Sequence, residues 1–72
     1  MSNDAQVAFE HGKSLFEEEN FSEAVSAFAK VVRLEPQNAE YHAWLARALT
    51  GDNEFSKAME EVTRAIQLDP AS

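Results

Sequence analysis

An all-α fold of four helices, arranged as two stacked helical hairpins, follows from three features of this 72-residue sequence. Apolar residues recur at three- and four-residue steps along nearly the whole chain, which marks helical faces. The sequence matches itself at an offset of 34 residues with no gap. There is no cysteine, so neither a disulfide framework nor a thiolate metal site holds the chain together. A chain of 8.0 kDa buries only about 60% of its surface on folding. It must therefore be held by a metal, by assembly or by very regular helix packing.

The internal match pairs Ala5 with Ala39, Leu15 with Leu49, and Phe21-Ser22 with Phe55-Ser56. It also pairs Ala24 with Ala58, Leu34 with Leu68 and Pro36 with Pro70. Similar residues fall between: Lys13 with Arg47, Gly12 with Ala46, Val32 with Ile66. The whole chain, residues 1–72, reads as one domain, with a first repeat over residues 5–38 and a second over 39–72. A period of this length signals an array of like supersecondary units.

Each repeat reads as two helices. Val7, Ala8, His11, Gly12, Leu15 and Phe16 share one face of the first helix. Glu17-Glu18-Glu19-Asn20 interrupts it. Phe21, Ala24, Val25, Phe28, Val31, Val32 and Leu34 then resume the period. Ser22 is the expected N-cap, its hydroxyl accepting from a free backbone N–H. Pro36 disfavours helical geometry at Glu35 and ends the second helix. Asn38 is placed to cap a third helix through Trp44, Leu45, Ala48 and Leu49. Gly51-Asp52-Asn53 supplies the next turn, since Gly and Asn tolerate positive φ. Ser56 is the expected cap of the last helix, which carries Ala58, Met59, Val62, Ala65, Ile66 and Leu68. Gly12 and Ala46 predict a close approach by the second helix of each pair, with Phe28 and Val62 filling the space beside them.

These residues resemble the tetratricopeptide repeat (TPR), whose 34-residue pattern is W-x2-L-G-x2-Y, A-x3-F, P. The first copy answers with Ala8, His11, Gly12, Leu15, Ala24, Phe28 and Pro36. The second answers with His42, Leu45, Ala46, Leu49, Ala58, Val62 and Pro70. His11 stands where an aliphatic residue is usual. Glu19 stands where the family often has a turn glycine, which leaves Asn20 to take the strain. The resemblance implies an antiparallel, right-handed α-solenoid with a concave groove lined by the first helix of each pair. Family members mostly bind peptides or protein segments in that groove.

Carried over residue by residue, the groove-facing places are Gln6, Phe9, Glu10, Lys13, Phe16 and Glu17, then Glu40, Ala43, Trp44, Arg47, Thr50 and Gly51. Phe9, Phe16 and Trp44 are expected to be partly exposed there, with Lys13 and Arg47 between them. Aromatics beside Arg are the usual composition of a binding hot spot. A cationic pair beside aromatics suits an acidic or carboxylate-bearing peptide with an apolar anchor. The opposing reading makes the aromatics ordinary core and pairs the cations with Glu10, Glu17 or Glu40 along the helix surface. Some TPR domains clamp the C-terminal carboxylate of heat-shock chaperones with one Lys and two Asn. Here the corresponding places hold Phe9, Lys13 and Trp44, so that mode is not supported.

The net charge is −7, spread as −4 over residues 1–36 and −3 over residues 37–72. It repels phosphate backbones and anionic membrane surfaces, so neither nucleic acid nor membrane is an expected partner. His11 and His42 belong to no local ligand pair, so no metal or other cofactor is expected. His11 is expected to pack between the helices, and His42 near the groove or the next helix. No nucleophile elbow, phosphate loop or dinucleotide fingerprint is present, and Glu17-Glu18-Glu19 reads as a solvated turn. An enzyme is not expected. With no secretory signal or transmembrane run visible, a cytoplasmic protein is expected.

The last helix leaves Met59, Val62 and Ile66 without a neighbour. That face predicts an excised fragment of a longer protein, self-association as a weak homodimer, or a repeat polar enough to cap itself. The functional expectation is a protein-interaction module acting through Gln6, Phe9, Lys13, Phe16, Glu40, Trp44 and Arg47. The alternative is structural self-association or scaffolding through Met59, Val62 and Ile66.

Overall fold

The computed structural model describes residues 3–70. Met1 and Ser2, and the last two residues of the second repeat, lie outside the described residues. Four helices follow in order: α1 (Asp4–Glu17), α2 (Phe21–Leu34), α3 (Ala39–Gly51) and α4 (Phe55–Leu68). The all-α expectation is met, with no strand among the described residues. The helices stack in chain order, α1 on α2, α2 on α3 and α3 on α4.

The two hairpin turns share one construction. After α1, the Glu19 amide donates to Phe16 O at 3.0 Å and the Asn20 amide to Leu15 O at 2.9 Å. After α3, the Asn53 amide donates to Thr50 O at 3.0 Å and the Glu54 amide to Leu49 O at 2.8 Å. This crossed pair is the Schellman closure, which needs a left-handed residue just past the helix. Glu19 and Asn53 supply it, both at φ 63°. Strain expected at Asn20 therefore sits on Glu19. Gly51 is helical and does not supply the turn's positive φ.

The Schellman turns also correct both serine caps. Each turn delivers the chain straight into the next helix, so α2 starts at Phe21 with Asn20 as N-cap, and α4 at Phe55 with Glu54. Neither cap residue bonds its helix through a side chain. Ser22 and Ser56 fall inside the first turn and are exposed. Asn38 does cap α3, its side-chain oxygen accepting from the Tyr41 amide at 3.2 Å. Glu35 and Asp69, each before a proline, leave the helical region at φ −138°, ψ 76° and φ −143°, ψ 77°, since proline disfavours the helical conformation of its predecessor.

Phe28, Val31, Ala24 and Ala48 are fully buried and anchor one core shared by all four helices with Phe9, Leu45, Leu49 and Ala58. The small residues act as expected in the first hairpin. A Cβ on Gly12 would stand 2.7 Å from Phe28 Cε1, so the absent side chain is what admits the ring. Gly51 makes a second close approach, its bare Cα facing the Phe21 ring, with which a Cβ would collide. Val62, the counterpart of Phe28, does not fill an equivalent space. It lies exposed on α4 with Met59 and Ile66.

His11 is exposed rather than packed between helices. Its counterpart Leu45 is buried because α3 has α2 to lean on, whereas no described element precedes α1. Val7, exposed, and Tyr41, buried, differ for the same reason.

Three substitutions test these backbone arguments by urea denaturation. Gly12→Ala gains up to about 1 kcal/mol of helix propensity but overpacks a buried ring, at about 1–3 kcal/mol. A net destabilisation is expected, and a stabilised variant would show that Phe28 can yield. Glu19→Gly relieves the left-handed residue and is expected to stabilise by about 1 kcal/mol. Asn53→Gly is expected to gain less, because Asn tolerates that conformation.

Candidate functional site

An aromatic cluster joins the two hairpins. Phe9 on α1 lies 4.8 Å from the Tyr41 ring, 5.9 Å from Phe28 and 5.9 Å from Trp44, centre to centre. Phe16 meets Trp44 edge-on at 5.6 Å and Phe21 at 5.4 Å. Such tilted and edge-to-face pairs add roughly 0.5–1.5 kcal/mol each beyond area burial. Phe9 is buried, not partly exposed as expected. Its ring is covered by α3, whose Tyr41 and Trp44 close over it. Phe16 and Trp44 are half-buried and keep an accessible face.

Two cations converge on this cluster. Lys13 Nζ lies 4.8 Å from the Phe9 ring centre and 5.9 Å from that of Trp44. The Arg47 guanidinium carbon lies 4.8 Å from the Trp44 ring centre. Gln6 joins only at the edge: its Nε2 donates to Glu10 Oε2 at 3.1 Å, and the same oxygen stands 3.8 Å from Lys13 Nζ. No carboxylate among the described residues lies within ion-pair distance of Arg47.

Glu40 is not brought to this surface. It lines a cleft between α3 and α4 with Ala39, Ala43, Ala65, Ile66 and Asp69. Ala43 and Thr50 also face α4, in an adjoining cleft of about 340 Å³ that Arg47 borders. Gly51 packs on Phe21 of α2. The seven expected residues thus divide: Phe9, Lys13, Phe16, Trp44 and Arg47 form one cluster, Gln6 flanks it, and Glu40 lies on the other flank of α3.

Sequence reasoning did not single out Tyr41 or the partner of His42. Burial first, and then the Glu35 and Glu40 carboxylates, hold the Tyr41 phenol above its ordinary 10.0. His42 is buried, its Nδ1 2.7 Å from Glu61 Oε1 and its Nε2 2.8 Å from the Pro36 carbonyl. It links α3 to α4 and to the loop between the hairpins, so its place is structural. The i+19 spacing of His42 and Glu61 follows no helical period, which is why the pattern did not reveal the pair. Among the described residues no group of three His, Cys, Asp or Glu could hold a metal ion. No described helix is long and apolar enough to cross a membrane.

The tetratricopeptide-repeat family profile matches residues 9–72, and the chain belongs to that family. Such repeats generally serve as protein-protein interaction modules and are typically non-catalytic. The chain is 32% identical over 60 residues to the inactive TPR repeat-containing thioredoxin TTL3 of Arabidopsis thaliana, covering 83% of this chain and 9% of that protein. It is 25% identical over 69 residues to the TPR repeat-containing thioredoxin TTL4 of the same plant, covering 96% of this chain and 10% of that protein. The chain therefore spans about a tenth of the length of these relatives. It has no cysteine for thiol chemistry of its own.

The Tyr41 environment makes a pH prediction. Folding favours the neutral phenol, so this contribution is complete below pH 10 and is lost as pH rises from there through the folded-state value. Tyr41 is the chain's single tyrosine, so the phenolate absorbance reports it alone. Its titration in the folded chain is expected above that in urea. Tyr41→Phe is expected to flatten the alkaline loss of stability relative to wild type.

Proposed function

We propose that this chain is a peptide-binding TPR module whose working surface is the exposed edge of the Phe16–Trp44 pair with Lys13 and Arg47. The observation that carries the reading is the placement of two of six basic residues against one half-buried indole, in a chain of net charge −7. Elsewhere the acidic excess repels anions. Here a carboxylate meets two cations, and the adjoining aromatic faces accept an apolar side chain. The favoured ligand is an acidic peptide segment with a bulky apolar residue next to its carboxylates. A guanidinium seated on an aromatic face keeps its in-plane N–H groups free to form a bidentate pair with a carboxylate.

Self-association through Met59, Val62 and Ile66 centres on α4 and meets this surface only at Arg47, which shares the cleft between α3 and α4 with Val62 and Ile66.

Trp44 is the single tryptophan, so its fluorescence reports occupancy directly. Titration with acidic peptides carrying a Phe or Leu anchor is expected to shift that emission, and charge-reversed peptides are expected not to. Arg47→Glu is expected to weaken binding at least about tenfold, the loss of one charge-assisted contact, with unchanged circular dichroism because Arg47 is exposed. Trp44→Ala is the poorer test, since it empties part of the core and is expected to destabilise the fold by about 2–4 kcal/mol. Equal affinity of Arg47→Glu and wild type for every peptide bound would refute the proposed site.

A further inference from the structure

The strongest unassigned feature is a stripe along α4. Phe55, Met59, Val62 and Ile66 are 58%, 64%, 38% and 58% exposed. Their 4-3-4 spacing is the seam of a two-helix coiled coil, and it fits a single helix laid lengthwise. Ser56 and Thr63 flank the seam on its open side, and Ala58 and Ala65 turn toward the chain's own core and α3 on the other, all uncharged and none large. Lys57, Glu60, Glu61 and Arg64 fall off the seam, so the net charge of the chain is not concentrated at the contact.

The same chain shows what such a seam does. Phe21, Val25, Phe28 and Val32 on α2 repeat the 4-3-4 spacing, one period of 34 residues earlier. That seam is partly or fully buried in the shared core, where α2 packs on α3. The seam on α4 is its counterpart without a cover among the described residues.

We propose that the cover is α4 of a second copy of this chain, paired antiparallel about a two-fold axis. The choice of partner helix follows from what a second copy presents. The outward positions of α1 hold Glu10, His11 and Ser14, all polar and exposed, with Val7 alone among them apolar. Leu34 is exposed singly at the end of α2. Only α4 offers a stripe of the required length. The antiparallel sense follows from register. Placing the axis between Glu60 and Glu61 sets Phe55 opposite Ile66 of the second copy and Met59 opposite its Val62, each twice. All four layers are then apolar, a large residue meets a smaller or flexible one in each, and the helix dipoles oppose. A parallel pair would instead stack Phe55 on Phe55 and Met59 on Met59 with the dipoles aligned. The contact uses one helix per copy, and each copy carries −7, so the dimer is weak and tightens with salt. The seam borders the peptide-binding surface at Arg47, but the pairing is read by mass and the peptide site by affinity, so either can fail alone.

Sedimentation equilibrium of the 72-residue chain over a concentration series tests it. The expected result is a mass rising from 8.0 kDa toward twice that value, at lower concentrations in higher salt. Met59→Lys with Ile66→Lys alters only exposed side chains, and is expected to stay monomeric with unchanged circular dichroism. The native chain lacks cysteine, so introduced thiols report alone. Phe55→Cys is expected not to cross-link, because the antiparallel register holds the two positions about 16 Å apart along the helix. Phe55→Cys with Ile66→Cys is expected to cross-link. A chain that stays monomeric throughout, or a dimer that survives the double Lys variant, overturns the proposal and leaves the seam to a helix of different sequence. Cross-linking of Phe55→Cys alone would overturn the antiparallel register.

Discussion

The contact on which the architecture depends is the Phe28 ring seated in the notch left by Gly12. With no side chain at that point, α1 and α2 approach closely enough for the ring to be fully buried between them. The same ring then lies within 5.8 Å of Trp44 and 5.9 Å of Phe9. One residue therefore closes the first hairpin and provides part of the floor on which α3 rests. Phe9 and Trp44 are fixed by that floor, and the cations that lean on them inherit their positions from it. The site is thus a consequence of core packing, and it sits on rigid helices.

The second hairpin is closed differently. Val62 replaces Phe28 and Ala46 replaces Gly12, so no large ring fills the gap between α3 and α4. The buried His42 bridges Glu61 and the Pro36 carbonyl instead. Truncating His42 loses both of these part-buried contacts, each worth about 1 kcal/mol. The first hairpin relies on an aromatic interlock and the second on directed polar contacts. The seams differ as well: α3 packs on that of α2, and no described element packs on that of α4, which stays open.

This difference explains what could be read in the sequence. The period of 34 residues, the proline stops, the Asn38 cap and the Gly12 notch are local or repeat with the chain, and each was legible. Positions whose neighbours differ between repeats were not. His11 and Leu45 occupy one place in the pattern, yet only Leu45 has a preceding helix to pack on. Phe9 was expected in the groove because the family resemblance places it there, and the repeat pattern does not show that Tyr41 and Trp44 of α3 close over its ring. Ser22 and Ser56 looked like caps because an isolated helix would use them. The Schellman turns start both helices earlier, and Glu19 hides that geometry where glycine would have announced it.

The two cations on the candidate surface are not equivalent. Lys13 shares its field with Glu10, 3.8 Å away, and Glu10 in turn holds Gln6. An incoming carboxylate must compete with that neighbour. Arg47 leans on the Trp44 face, and an indole attracts a cation without neutralising its charge. Its guanidinium also offers a planar fork, where Lys13 offers a flexible point charge. Recognition of an anion at this surface therefore rests more on Arg47 than on Lys13. The aromatic ring beneath Arg47 sets the geometry in which the anion is met.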